Sequence, residues 1–264
     1  MAAPRRRLTL SRRALMTAAL PLLLSPHARA SGAPVTVAAA SDLQGVLTIL
    51  AQTFETETGI AVRVTFGSSG NFARQLQQGA PFDLFCSADE DLILALAAAR
   101  VVRDTGVVYA EGRLALLVHN SSPLAANLTA ETFTAAMKTS RLKRVAIANP
   151  EHAPYGQRAY DVFTFLRVVE QVRPKLVFGE NVAQAVQFVA TGAAEAGVVA
   201  YSLTYSEAVR AATRSWLIPA SWHRPLRQRM ALTARASADA QQFYTYLQSQ
   251  AAAKGFRDYG FTVP

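Results

Sequence analysis

The sequence predicts an α/β fold made of two lobes. Apolar strand-like runs alternate with amphipathic helical segments along the chain, and several of these runs are apolar throughout, as in strands covered on both faces. No long linker separates the two halves, so the chain is expected to cross between the lobes through strands. With 264 residues and a hydrophobic content of 51%, it has enough apolar material for two modest cores. The strand–helix alternation also favours parallel sheets.

Residues 1–30 are predicted to be an export signal that is removed from the mature protein. A basic region precedes the apolar stretch 14–24, and Ala28-Arg29-Ala30 then supplies the small residues expected at a signal-peptidase site. The apolar stretch is far shorter than the ~20 residues needed to span a bilayer, so a signal fits better than an anchor. Arg12-Arg13 after Ser11 resembles a twin-arginine signal, although ordinary secretory signals can also be rich in arginine.

The net charge of the precursor comes mostly from this segment. Residues 1–30 contain six arginines and no acidic residue, so their removal lowers the formal charge from +9 to +3. The charge therefore gives no indication of nucleic-acid binding. Cys86 is the only cysteine in the sequence, which excludes an internal disulfide, and its position in the apolar run 83–87 predicts a buried core thiol.

The predicted elements follow the chain in a regular order. In the first half, Ser41-Asp42 forms a cap after the first strand, and Gly59 ends the helix that follows. The elements predicted there are strand 34–40, helix 43–58, strand 62–66, a short helix after the turn 67–71, strand 83–87 and helix 91–99. The elements predicted after Gly112 are strand 113–119, strand 144–148, helix 155–171, strand 175–179, helix 182–190, strand 196–201, strand 230–234 and helix 238–250.

We predict lobe 1 at residues 31–112, with a C-terminal return at about 228–264, and lobe 2 at residues 113–227. Gly112 marks the first crossing between the lobes, because the strand pattern restarts directly after it. The return is placed between about residues 201 and 230.

Four strand-to-helix junctions have the same chemical character. Each places serine, asparagine or an unpaired backbone N–H group at a helix start: Ser41-Asp42, Ser68-Ser69-Gly70, Pro154-Tyr155-Gly156 and Glu180-Asn181-Val182. Taken singly, these are ordinary helix caps and turns. Because ligands of parallel α/β sheets bind beyond the carboxyl ends of the strands, and helix N-termini favour anions, the recurrence indicates an anion site. Neutral donors suit a fully ionised oxyanion better than one whose proton needs an acceptor.

At these junctions the sequence resembles the periplasmic molybdate-binding proteins of the molybdate ABC transporter. The resemblance extends over essentially the whole mature chain. The segments that carry it are VTVAAASDL at 35–43, GSSG at 67–70, QGAPFDLFCSAD at 78–89, NPEHAPYG at 149–156, GENV at 179–182 and RDYGF at 257–261.

This resemblance implies a type II periplasmic-binding-protein fold with the ligand in the cleft between the lobes. Ser41 and Ser69 would donate side-chain and backbone hydrogen bonds to molybdate or tungstate, and Tyr155 and Val182 would donate through backbone N–H groups. Asp42 would contribute at most its N–H group. Some family members add a tyrosine hydroxyl, but the corresponding position here is Ala200, and Tyr201 beside it is expected to face the other way. Either this hydroxyl donor is absent or the local strand is shifted.

The resemblance also implies a protein that binds rather than catalyses. A monomer in the periplasm would deliver the oxyanion to an ABC permease, with no cofactor, no metal beyond the molybdate itself and no nucleic-acid partner. An enzyme on the same fold would need acid–base groups in the cleft, and no base is positioned to activate either serine. The three histidines of the mature chain show no metal-ligand spacing.

Two other kinds of receptor stay open at the sequence level. The ligand could be sulfate, thiosulfate or another oxyanion, because discrimination depends on small differences in cavity radius. It could instead be a small organic acid, for which an arginine in the cleft would be expected, and Arg74 is the candidate. A DNA-binding regulator has no room for a helix-turn-helix in residues 1–30.

Overall fold

The computed structural model describes residues 1–2, 33–139 and 141–264, so the predicted export signal lies outside the described residues except for its first two. The chain divides into two compact units, Met1–Ala30 and Ser31–Pro264, and the fold below is that of the second unit. Within the described ranges, no helix has both the length and the apolar character required to span a membrane.

In the described part of the chain, ten strands form two five-stranded sheets. The strands are β1 Val35–Ala40, β2 Val62–Gly67, β3 Leu84–Ser87, β4 Val107–Gly112, β5 Leu114–His119, β6 Val145–Ala148, β7 Leu176–Gly179, β8 Ala196–Ala200, β9 Thr213–Leu217 and β10 Leu226–Leu232. The first sheet has the order β2-β1-β3-β10-β4 and the second β7-β6-β8-β5-β9. We call the parts built on these sheets lobe 1 and lobe 2.

Helices flank both sheets. They are α1 Gln44–Thr58, α2 Ser69–Gln77, α3 Glu90–Ala98, α4 Ala130–Met137, α5 Pro154–Phe165, α6 Val169–Val172, α7 Val182–Ala190, α8 Glu207–Ala212, α9 Ala238–Tyr246 and α10 Gln250–Asp258. Ser41–Leu43 is a 3-10 turn between β1 and α1, and Gly59 ends α1 with a left-handed φ of 74°. The α/β class predicted from the sequence is confirmed by these two sheets and their helices.

The prediction of parallel sheets is wrong in part, because both sheets are mixed. β1 runs parallel to β2 and β3, whereas β10 is antiparallel to β3 and β4. In the second sheet β6 is parallel to its neighbours, and β5 is antiparallel to β8 and β9. The antiparallel strands β5 and β10 are the first strands that the chain forms after each change of sheet, so neither belongs to a strand–helix–strand unit with the strand before it.

These sheet changes set where the lobes connect. The chain enters the second sheet at Arg113 and returns to the first within residues 218–225. The numerical lobe limits at 112/113 and 227/228 remain a prediction.

Some elements have other bounds than the sequence predicts. The predicted helix 155–171 is interrupted after Phe165, where Arg167 takes a left-handed φ of 56°. The predicted helix 238–250 is two helices, because Ser249 caps a new one by accepting from the Ala252 N–H. Strand 230–234 begins four residues earlier, at Leu226.

The hydrophobic core includes buried residues from both sheets. Every residue of β3, β6 and β8 is buried, as expected for strands covered on both faces. A smaller apolar cluster, which includes Phe72, Phe85 and Leu96, fills the space between α2, α3 and the first sheet. Cys86 is 1% exposed, and burial raises the pKa of its thiol, so the prediction of a core thiol is confirmed.

Candidate functional site

The four residues predicted to bind the ligand line one small cavity between the lobes. Ser41 and Ser69 come from lobe 1, and Tyr155 and Val182 from lobe 2. The space between its lining atoms is about 200 Å³, a figure that includes solvent outside the cavity, so the cavity itself suits only a ligand of few atoms. We call it the candidate cavity.

Three helices begin at the candidate cavity. α2 starts at Ser69, α5 at Pro154 and α7 at Val182. The local sequence explains two of these starts: Pro154 occupies the first helical position of α5, and the Asn181 side chain caps α7 by accepting from the Gln184 N–H. The positive ends of three helix dipoles therefore point toward the same space, which favours a negatively charged ligand.

Both serine hydroxyls are arranged to donate. Ser69 Oγ accepts a hydrogen bond from the Ala88 N–H at 3.0 Å, and Ser41 Oγ accepts one from the Ala183 N–H at 3.3 Å. Within residues 33–139 and 141–264, neither hydroxyl proton has a protein acceptor. Since a hydroxyl carries one proton, each serine keeps that proton for the ligand.

Two backbone N–H groups complete the donor set. Tyr155 and Val182 lie in the first turns of α5 and α7, where N–H groups have no partner inside the helix. No acceptor for either group exists in the described part of the chain. Ligand oxygens in the candidate cavity would supply the missing hydrogen bonds.

Among the described residues, Asp42 has the only charged side chain that lines the candidate cavity, and one of its carboxylate oxygens accepts from protein donors. Oδ2 accepts from the Tyr155 hydroxyl at 2.9 Å and from the Gln228 amide. Burial raises the pKa of Asp42 to about 6, although the hydrogen bonds from Gln228 and Tyr155 act in the opposite direction. Within residues 33–139 and 141–264, no lysine, arginine or histidine lines the cavity, which therefore offers neutral donors and helix dipoles.

Arg74 and Tyr201 lie outside the candidate cavity. The Arg74 guanidinium donates to Asn71 Oδ1 and lines a neighbouring cavity beside His152. The Tyr201 ring packs against that of Tyr205, with the ring centroids 5.3 Å apart.

The lobes meet directly over the candidate cavity. The His152 carbonyl in lobe 2 accepts from the Ser68 hydroxyl at 2.5 Å and from the Gly70 N–H at 2.9 Å, both in lobe 1. Beside these contacts, the Asn71 amide donates to Glu180, whose carboxylate lies 3.6 Å from His152 Nε2. The structure is therefore closed around the cavity.

Sequence reasoning missed Gln228, which holds the Asp42 carboxylate. It is fully buried in the strand Leu226–Leu232, where Arg227 and Arg229 flank it in the sequence. The available signal was the alternation of the two arginines with Leu226, Gln228 and Met230, which places Gln228 on the buried face of a strand, where a polar group needs partners. The prediction began this strand at residue 230, so the glutamine was left outside it.

Replacing Gly70 by alanine is expected to weaken ligand binding at least about tenfold, which corresponds to roughly 1.4 kcal/mol. A Cβ at this position would lie 2.5 Å from the His152 carbonyl oxygen and 3.0 Å from its Cα, so the lobes could not close fully. Titration calorimetry measures the effect. Gly255→Ala is the matched control, because its Cβ would meet only side chains at ordinary contact distances, Leu50 at 3.4 Å and Val46 at 3.6 Å; equal affinities of the two variants would contradict the prediction.

Comparison with known proteins agrees with this architecture. The family model described as bacterial extracellular solute-binding protein matches residues 35–262. The molybdate-binding protein ModA of Azotobacter vinelandii is 34% identical over 235 residues, which are 88% of this chain and 91% of that protein. ModA of Rhodobacter capsulatus is 34% identical over 248 residues, 93% of this chain and 94% of that protein.

A solved structure is similar over the same range. The periplasmic molybdate-binding protein of Azotobacter vinelandii superposes with a TM-score of 0.79 at 29% sequence identity, covering 87% of this chain and 99% of that one. This similarity confirms the two-lobed periplasmic-binding-protein fold. Because the matching family consists of solute-binding proteins, the protein acts by binding rather than by catalysis. The chain belongs to the bacterial extracellular solute-binding protein family, as a homologue of the ModA proteins.

Proposed function

We propose that the mature protein captures molybdate, and also tungstate, in the candidate cavity and delivers it to the permease of an ABC transporter. The observation that carries the proposal is the donor set. Two serine hydroxyls and two N–H groups, at Ser41, Ser69, Tyr155 and Val182, face a cavity lined by no cationic side chain. Such a set pairs with every oxygen of a fully ionised tetrahedral oxyanion, whereas a protonated one would need an acceptor.

The relatives support the choice of ligand. Both ModA proteins are named for molybdate binding, and each aligns with this chain over nearly its full length. The space of about 200 Å³ between the lining atoms agrees with a ligand of few atoms. An organic-acid receptor is less well supported, because Arg74, the arginine expected to hold a carboxylate, lies outside the cavity.

The cellular setting is part of the proposal. An export signal at residues 1–30 places the mature protein in the periplasm, where a receptor of this family meets its ligand before the permease does. We expect a monomer with no cofactor and no nucleic-acid partner. The four proposed ligand contacts remain Ser41, Ser69, Tyr155 and Val182.

Titration calorimetry of the dialysed mature protein, residues 31–264, tests the proposal with molybdate, tungstate, sulfate, thiosulfate and phosphate. We expect saturable one-to-one binding of molybdate and tungstate and no heat from the other anions at millimolar concentration. Preferential binding of sulfate or thiosulfate would reassign the ligand within the same class. No binding of any of the five would contradict the oxyanion function, and succinate and lactate would then be titrated.

A further inference from the structure

Residues 41 and 42, which line the candidate cavity, are one place where lobe 2 contacts lobe 1. Three donors from lobe 2 reach these two residues. The Ala183 N–H donates to Ser41 Oγ, the Tyr155 hydroxyl to Asp42 Oδ2 at 2.9 Å, and the Ser202 hydroxyl to the Asp42 carbonyl at 2.8 Å. Asp42, which lies beside a ligand donor, therefore also carries contacts between the lobes.

The Asp42 carboxylate is also connected to the strands that flank the lobe crossings, directly to β10 and through Gln228 to β4. Gln228, in β10, donates to Asp42 Oδ2, and its own Oε1 accepts from the Tyr109 hydroxyl of β4 at 2.8 Å. β4 is the last strand before the chain crosses into lobe 2, and β10 is the first after its return. The pairing of these strands shifts register between Gln228 and Arg229, an irregularity that can re-aim a side chain.

Gly112, at the end of β4, provides the space for these contacts. A Cβ there would lie 2.2 Å from the Tyr155 hydroxyl and 2.8 Å from Gln228 Nε2. The side chains of Asp42, Tyr155 and Gln228 therefore meet over a residue that must lack a side chain. We call these three side chains the cross-cleft latch.

The groups around the Asp42 carboxylate are neutral. Gln228 carries no charge, and burial raises the pKa values of Tyr155, Tyr109 and Cys86, so all three stay protonated at neutral pH. No cationic partner of Asp42 exists within residues 33–139 and 141–264. The carboxyl oxygen thus acts as a hydrogen-bond acceptor for its neighbours, and not as one half of an ion pair.

We propose that Asp42 is a positioning residue, which fixes the Tyr155 hydroxyl across the cleft and thereby holds the first turn of α5 so that the Tyr155 N–H group faces the oxyanion. Tyr155 is 2% exposed. Its side chain extends to lobe 1, whereas its N–H group lies at the cavity. Fixing the hydroxyl therefore fixes the donor on the same residue. This inference rests on the proposed function, since it assigns a role within that site.

A double-mutant cycle with molybdate tests the latch. Asp42→Ala and Tyr155→Phe are each expected to weaken binding about tenfold or more, the range for loss of a hydrogen bond to a charged group. The double variant is expected to bind no more weakly than the weaker single variant, because both changes remove the same contact. Tyr160→Phe is the control: Tyr160 lies on the same helix, and no hydrogen bond of its hydroxyl is recorded in the described residues.

Asp42→Asn separates positioning from a general structural role. Asparagine keeps an acceptor oxygen for Tyr155 and Gln228, so its affinity is expected to return to within about threefold of that of the wild-type protein, an interval of less than 1 kcal/mol. Asp42→Ala with wild-type affinity, additive losses in the double variant, or an Asp42→Asn protein as weak as Asp42→Ala would each overturn the inference while leaving the proposed function intact. A wild-type protein that binds no oxyanion would overturn both.

Discussion

The protein with Ser41 and Ser69 both replaced by alanine is expected to bind molybdate roughly a hundredfold to ten-thousandfold more weakly than the wild-type protein. Each hydroxyl oxygen accepts a hydrogen bond from a backbone N–H group, so the hydroxyl proton is left for the ligand. A hydrogen bond to a charged group contributes about 1.5–3 kcal/mol, and the loss of two leaves ligand oxygens unpaired in a closed site. Titration calorimetry measures the loss for each single variant and for the pair.

Ser237→Ala provides the matched control for this experiment. Ser237 also accepts from a backbone N–H group, that of Ala240 at the start of α9, but it is exposed and does not line the candidate cavity. Its replacement removes a helix cap and lowers stability by about 1 kcal/mol without changing affinity. If Ser41→Ala and Ser69→Ala behaved like Ser237→Ala in binding, the hydroxyls would not be ligand donors.

Asp42→Asn is expected to raise the free energy of unfolding of the ligand-free protein by about 3 kcal/mol at pH 7.5, as one pKa unit corresponds to 1.36 kcal/mol. The pKa of Asp42 is raised from 3.8 to about 6 in the folded protein, mainly by burial. The folded state therefore binds this proton more tightly than the unfolded chain does. The stability that the wild-type protein gains from this proton is fully present below about pH 4 and is lost as the pH rises through about 6. Asparagine does not ionise and avoids that loss.

Chemical denaturation between pH 4.5 and 8 measures this difference. The difference in free energy of unfolding between Asp42→Asn and the wild-type protein should be small at pH 4.5 and should increase until the pH passes 6. Asp161→Asn is a control of opposite sign, because the hydrogen bonds and charge of Arg224 lower the pKa of Asp161, so its replacement should destabilise the protein at neutral pH. If the difference in free energy of unfolding between Asp42→Asn and the wild-type protein did not change with pH, Asp42 would not be a buried carboxyl that titrates in this range.

The predictable part of the fold is the part set by local pattern. The strand Val35–Ala40 and the α1 helix that ends at Gly59 could be read from continuous apolar residues, helical spacing and a C-terminal glycine. The strands β4 and β9 could not be predicted from the sequence, because their exposed and buried residues do not alternate. Each also pairs with a strand that is distant in sequence. β10 and β5 each run antiparallel to the neighbours in their own sheet. This direction depends on where the chain changes sheet, and no local sequence pattern encodes that point.

The candidate site divides in the same way. Ser41, Ser69, Tyr155 and Val182 lie at helix starts, where composition indicates free N–H and hydroxyl donors, and the structure brings all four to one cavity. Their role as ligand contacts remains a prediction. The cross-cleft latch was not predictable, because Asp42 and Gln228 are 186 positions apart and meet only when both lobes are assembled.

The most direct test of the account is a crystal structure of the mature protein grown with molybdate, with anomalous data collected at the molybdenum absorption edge. We expect one strong anomalous peak inside the candidate cavity, with the ligand oxygens within hydrogen-bond distance of the Ser41 and Ser69 hydroxyls and of the Tyr155 and Val182 N–H groups. A peak at any other site, or a cavity without one at saturating molybdate, would contradict capture of the oxyanion by these neutral donors.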